Sequence, residues 1–111
     1  MNWKNRLDKE LQNARTARNL GNEGQARVCA RRAAGVIVKE FYSRQEWKVS
    51  SVSAYDLLKS LQDFPALSMD AGHSVELLLL RVNADFDLPE GVDLIAEVEK
   101  LTKTLLPDEE V

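Results

Sequence analysis

Several things are scarce in this chain of 111 residues, and each scarcity closes off a class of protein. There is one cysteine, Cys29, so no disulfide can form within the chain, and no CxxC or Cys/His cluster spaces ligands for zinc. There is one histidine, His73, so an HExxH metal site is impossible, and no nucleophile motif is present. The five glycines are scattered and build no phosphate-binding loop. Aromatic residues make up 6% of the chain, and Trp3, Phe41, Tyr42 and Trp47 lack the spacing of a base-stacking surface. They are expected in the core or at a contact between subunits. The longest apolar run is far short of a membrane span, and "MNWKNRLDKELQ" is too charged for a secretory signal. These features lead us to expect a cytoplasmic protein without metal or cofactor and without a membrane partner.

What is present is helical periodicity nearly throughout, at a length that suits one domain. Trp3, Leu7, Leu11 and Ala14 mark one face of a first helix over about residues 2–19. "GNEGQ" breaks it, and Asn22 with Gln25 has capping-box spacing for a second helix over about 23–42. Ala26, Cys29, Ala30, Ala33, Ile37 and Phe41 share a face of that helix. Ala30, Ala33, Ala34 and Gly35 invite close approach of a neighbour, and Gly35 costs about 1 kcal/mol of helix propensity against Ala, which implies a packing role. Residues 43–52 read as a loop. Ser53 opens "AYDLLKSLQDF", stopped by Pro65; Ser68 opens a helix over about 69–83; Asp87 and Pro89 open a last helix bearing Val92, Ile95, Val98, Leu101 and Leu105. The pattern predicts an all-α, up-and-down bundle of four to five helices over residues 1–106, followed by a flexible acidic tail at 107–111.

The net charge of −3 conceals an asymmetry. Residues 1–50 carry 11 Lys/Arg against 5 Asp/Glu, whereas residues 51–111 carry 4 against 13. Either the basic half packs beside the acidic half, or a local basic surface meets a nucleotide or nucleic acid. Arg27 and Arg31, one turn apart, with Arg32 beside them and Arg15 and Arg18 on the preceding helix, are candidates for a phosphate-binding stripe; a solvated face with Glu23 pairing Arg27 is the alternative.

The run Leu77–Leu80 and the residue after it, Arg81, concentrate the remaining signal. At 100° per residue, four leucines cover most of a helix circumference, more than one apolar stripe requires. A covering helix or a second subunit must take up the excess. An isologous homodimer is expected, with Leu77, Leu78, Val36 and Phe41 as contact candidates. Two readings of Arg81 remain open. It can close the last turn of its helix and pair with a carboxylate such as Asp56, Asp85 or Asp93, or it can face a cleft and bind phosphate or RNA backbone.

Taken with "ARTARNLGNEGQARVCARRAAGVIVKEFY", "AYDLLKSLQDFP", "ELLLLRVNADFDLP" and "VDLIAEVEKLTKTLL", residues 13–106 resemble the HEPN family of small helical-bundle domains. The resemblance implies an up-and-down bundle, usually dimeric. Some members are metal-independent ribonucleases of toxin–antitoxin or defence systems; others bind nucleotides or pair with a small nucleotidyltransferase and do not catalyse. The ribonucleases carry an arginine followed, after four to six residues, by a histidine. Arg81 matches the arginine, but Phe86, Asp87 and Leu88 stand where the histidine would fall. Asp87 is a poor general acid near neutral pH and also fits a helix cap. The expected function is therefore a non-catalytic dimeric binding or adaptor module for a nucleotide, RNA or a nucleotidyltransferase-type partner. A ribonuclease using Arg81 and Asp87 and a plain helical interaction domain are the alternatives.

Overall fold

A computed structural model describes residues 2–47, 53–64, 67–80 and 92–107. The described residues form five α-helices and no strand: α1 (Trp3–Asn19), α2 (Glu23–Arg44), α3 (Ala54–Leu61), α4 (Met69–Leu78) and α5 (Leu94–Leu105). None of these helices is long and apolar enough to cross a membrane.

Each helix begins on a polar side chain that satisfies an otherwise orphaned amide. Asn2 accepts from the Lys4 amide, Asn22 from Gln25, Ser53 from Asp56 and Ser68 from Ala71. Asp93 accepts from both Ile95 and Ala96, at 3.1 and 3.3 Å. The last helix therefore starts on Asp93. The expected start at Asp87 and Pro89 is corrected at its near end: Val92 precedes the helix, while Asp87 and Pro89 lie outside the described residues.

Two helices stop by the same device. After α1, the Asn22 amide reaches back to the Ala17 carbonyl and the Gly21 amide to that of Arg18, with Gly21 at φ +79°. After α2, the Trp47 amide bonds the Tyr42 carbonyl and the Glu46 amide that of Ser43. Both are Schellman closures, which need a left-handed residue in the middle. Glycine takes that place without strain at 21, whereas Glu46 takes it at φ 55°. Helix α2 thus runs two residues further than the periodicity indicated. Trp47, half exposed at 47%, closes the motif by stacking on Tyr42 with ring centroids 6.3 Å apart. Phe41 and Phe64 complete this aromatic cluster.

Helix α2 is central: α1, α3 and α5 pack on it, and α4 packs on α5. Its small residues set these distances. A Cβ built on Gly35 would fall 2.9 Å from the Ala54 Cβ and 3.1 Å from the Ala54 Cα, so the start of α3 rests directly on the α2 backbone. The packing role expected of Gly35 is thereby accounted for. Cys29, Ala30, Ala33, Ala34, Ile37 and Val38 of α2 bury against Leu7 and Leu11 of α1 and Val98 and Leu101 of α5.

The leucine run is not wholly helical. Helix α4 ends at Leu78, and the Leu79 and Leu80 amides bond carbonyls three or four residues back in a tightening last turn. Leu78 is fully buried in the core, and Val36 is buried in the same cluster. Phe41 is half-buried in the aromatic cluster; Leu77, Leu79 and Leu80 are half-buried. The expected helix through residue 83 is corrected accordingly, and with it the surplus of leucine around one circumference, because Leu79 and Leu80 leave the cylinder. Likewise α3 ends at Leu61, three residues short of the expected end at Phe64.

Candidate functional site

The basic and acidic halves of the chain meet along α1 and α5. Arg15 approaches Glu99 at 3.6 Å, and Arg18 reaches Asp93 at 3.1 Å and Glu23 at 3.0 Å. These contacts raise the Arg18 guanidinium above its ordinary value against the opposing effect of desolvation, the largest single influence on it. Arg15–Glu99 and Arg18–Asp93 thus join the basic half to the acidic half. Glu23, expected to pair with Arg27 one turn on, accepts from Arg18 across the turn. Asp93, one of three carboxylates considered for Arg81, is a partner of Arg18.

Arg31 has a structural task. Its Nε donates to the Leu78 carbonyl at 2.8 Å and its Nη2 donates to the Leu80 carbonyl, so α2 closes the C-terminus of α4. Cationic closure of a helix C-terminus is favourable on hydrogen-bonding and dipole grounds alike. Arg31, a ligand-binding candidate from the sequence, thus has its Nε and Nη2 on main-chain carbonyls. Arg27 is half-buried on the same helix and does not line the groove described below. Arg81 and Asp87 lie outside the described residues.

A second set of cations has no such partners. Helix α1 contributes Arg6 and Lys9, and α2 contributes Arg32 and Lys39, to the rim of a groove of about 760 Å³ that opens between α1 and α3 over α2. Asn5, Glu10 and Asn13 of α1 also line it; Gly35, Val36, Ala54 and Leu57 form its floor. All four cationic residues are exposed, and among the described residues none forms an ion pair. The volume lies within the usual range for small-ligand sites, roughly 300–1,000 Å³. Antiparallel α1 and α2, joined by a turn of three residues, set Arg6 and Lys9 facing Arg32 and Lys39.

Sequence reading singled out Arg27 and Arg31 and passed over Arg6, Lys9 and Lys39. The available signal was a shared polar face at positions 6, 9 and 13 of α1 and the seven-residue step from 32 to 39 on α2. Neither shows which two faces adjoin.

One buried polar group also went unpredicted. Glu97 of α5 is 5% exposed; Ser74 of α4 donates to its Oε1 at 3.0 Å, and Lys100 donates to its Oε2 at 3.2 Å. Both carboxylate oxygens are satisfied, so this cluster ties α4 to α5. His73 is exposed, and Cys29 is buried with the Gln25 side-chain amide 3.5 Å from its sulfur. No group of three His, Cys, Asp or Glu residues able to hold a metal ion occurs among the described residues.

No family model, no curated protein and no solved structure matches this chain.

Proposed function

We propose that this protein is a non-catalytic binding module of HEPN-like architecture that takes a nucleotide-type anionic ligand in the groove between α1 and α3. The observation that carries this reading is the convergence of Arg6, Lys9, Arg32 and Lys39 on one groove without ion-pair partners among the described residues, while Arg15, Arg18 and Arg31 are all engaged. Four cations gathered around a single carboxylate, Glu10, repel one another, and a bound anion relieves that repulsion. The order of five helices around a small-residue α2 supports the architectural part. Homodimer formation and a nucleotidyltransferase-type protein partner belong to the same reading; Leu77 and Phe41, both half-buried, are the more exposed of its contact candidates.

The test is thermal unfolding with and without ATP, together with incubation of the purified protein with RNA. The reading expects ATP to raise the melting temperature progressively with the logarithm of its concentration above the dissociation constant, and RNA to stay intact. RNA cleavage that disappears in Arg81→Ala would replace it with the ribonuclease. Light scattering at micromolar concentration tests the dimer, and a monomer mass removes that part.

A further inference from the structure

We propose that the groove is a site for a short chain of linked phosphates, held by charge alone and without recognition of a base; this rests on the anion-binding reading above and specifies its ligand. Three observations lead there. The rim carries four cations and one carboxylate, Glu10, which leaves a net of three positive charges within a groove whose α1 wall, from Asn5 to Asn13, is about 12 Å long. Phosphate groups are the anions that arginine forks and lysine point charges bind best. Positive charge on both walls lets a short chain be gripped from two sides.

The floor excludes the other occupants. Among the described residues no aromatic side chain lines the groove, so they supply no platform on which a base could stack. Val36 and Leu57 are each more than nine-tenths buried, Gly35 has no side chain and Ala54 only a methyl, so the floor offers no deep apolar pocket for the anchors of an amphipathic helix. A long polyanion such as RNA needs a basic track that continues past the groove. Further along α1, Arg15 and Arg18 are already neutralised by Glu99 and by Asp93 and Glu23. The site is therefore local, and Glu10 limits the negative charge it accepts.

The phosphate chain can be the tail of a nucleoside triphosphate or free oligophosphate, and calorimetry separates these sources. The full chain, in low salt with EDTA, is titrated with sodium tripolyphosphate, ATP, adenosine and a short RNA oligonucleotide. Tripolyphosphate and ATP are expected to bind with dissociation constants within roughly threefold of each other, adenosine not at all, and RNA no more tightly than tripolyphosphate. The Lys9→Ser/Arg32→Ser double variant, altered only at exposed positions, should lose roughly tenfold or more in affinity for both phosphate ligands, and Lys103→Ser should lose none. ATP binding about tenfold tighter than tripolyphosphate would mean that the base is read, overturning this inference while leaving the anion-binding reading intact. Tighter binding of RNA would overturn it as well. Binding unchanged in the double variant would remove the groove as the site, and no binding by either phosphate ligand would overturn both proposals.

Discussion

Arg31 of α2 donates to the Leu78 carbonyl at 2.8 Å, and this contact fixes the place where α4 stops. A second donor of the same guanidinium takes the Leu80 carbonyl. Removing it leaves two part-buried acceptors without their charged donor. Arg31→Ala is expected to destabilise the fold by about 2 kcal/mol, and Arg31→Lys to recover only part of this because an ammonium cannot reproduce the planar fork. Urea unfolding checks both variants. Unchanged stability in Arg31→Ala would show that the closure contributes nothing.

Gly35 and Ala54 set the approach of α3 to α2. Alanine at 35 gains about 1 kcal/mol of helix propensity but places a methyl 2.9 Å from the Ala54 Cβ, closer than carbon atoms pack. The steric cost of overpacking, about 1–3 kcal/mol, should exceed the gain. Gly35→Ala is expected to lower the melting temperature, and Gly35→Val to lower it further. A rise in Gly35→Ala would show that α3 moves aside without cost.

The two Schellman closures offer a matched pair. Gly21 and Glu46 occupy the same left-handed place in the same motif. Glu46→Gly relieves a steric cost of about 1 kcal/mol, partly offset by the greater freedom of glycine in the unfolded chain, so a net gain of roughly 0.5 kcal/mol is expected. Gly21→Ala should cost about 1 kcal/mol. Denaturant midpoints at equal slopes measure both; the same sign for the two substitutions contradicts this account.

Glu97 is buried between Ser74 and Lys100. Glu97→Ala is expected to destabilise by roughly 1–3 kcal/mol, since it leaves Ser74 without its acceptor and opens space beneath α4. The double variant Ser74→Ala/Glu97→Met, which removes both members of the Ser74–Glu97 bond, should lose less than the sum of Ser74→Ala and Glu97→Met measured singly. Additive losses in this cycle would show that the two side chains are not coupled.

Much of the fold could be read from the chain. Asn22, Ser53 and Ser68 announce their helices because a cap is a local event, fixed by one side chain and an amide two or three residues away. Gly35 could be read as a contact because a glycine inside a helix otherwise has no reason to be there. The end of α4 could not be read. Its stop depends on Arg31, 47 residues earlier, and periodicity carries no trace of so distant a donor. Nor did the chain single out Glu97: nothing on its own helix marks it as buried, and Ser74 meets it from a helix 23 residues earlier. The candidate site was half visible. The excess of basic residues in the first half was plain in the count, but which cations are neutralised and which remain available follows from the pairing of α1 with α5 and the open rim over α2.

The central claim is that the α1–α3 groove is where this protein holds its ligand, and backbone amide NMR tests it most directly. Titration with tripolyphosphate is expected to move the amide resonances of Arg6, Lys9, Arg32, Gly35 and Lys39 along one saturating curve, with those around Arg27 and Lys103 unmoved. Saturating shifts gathered around Arg27, with the groove residues silent, would contradict the account.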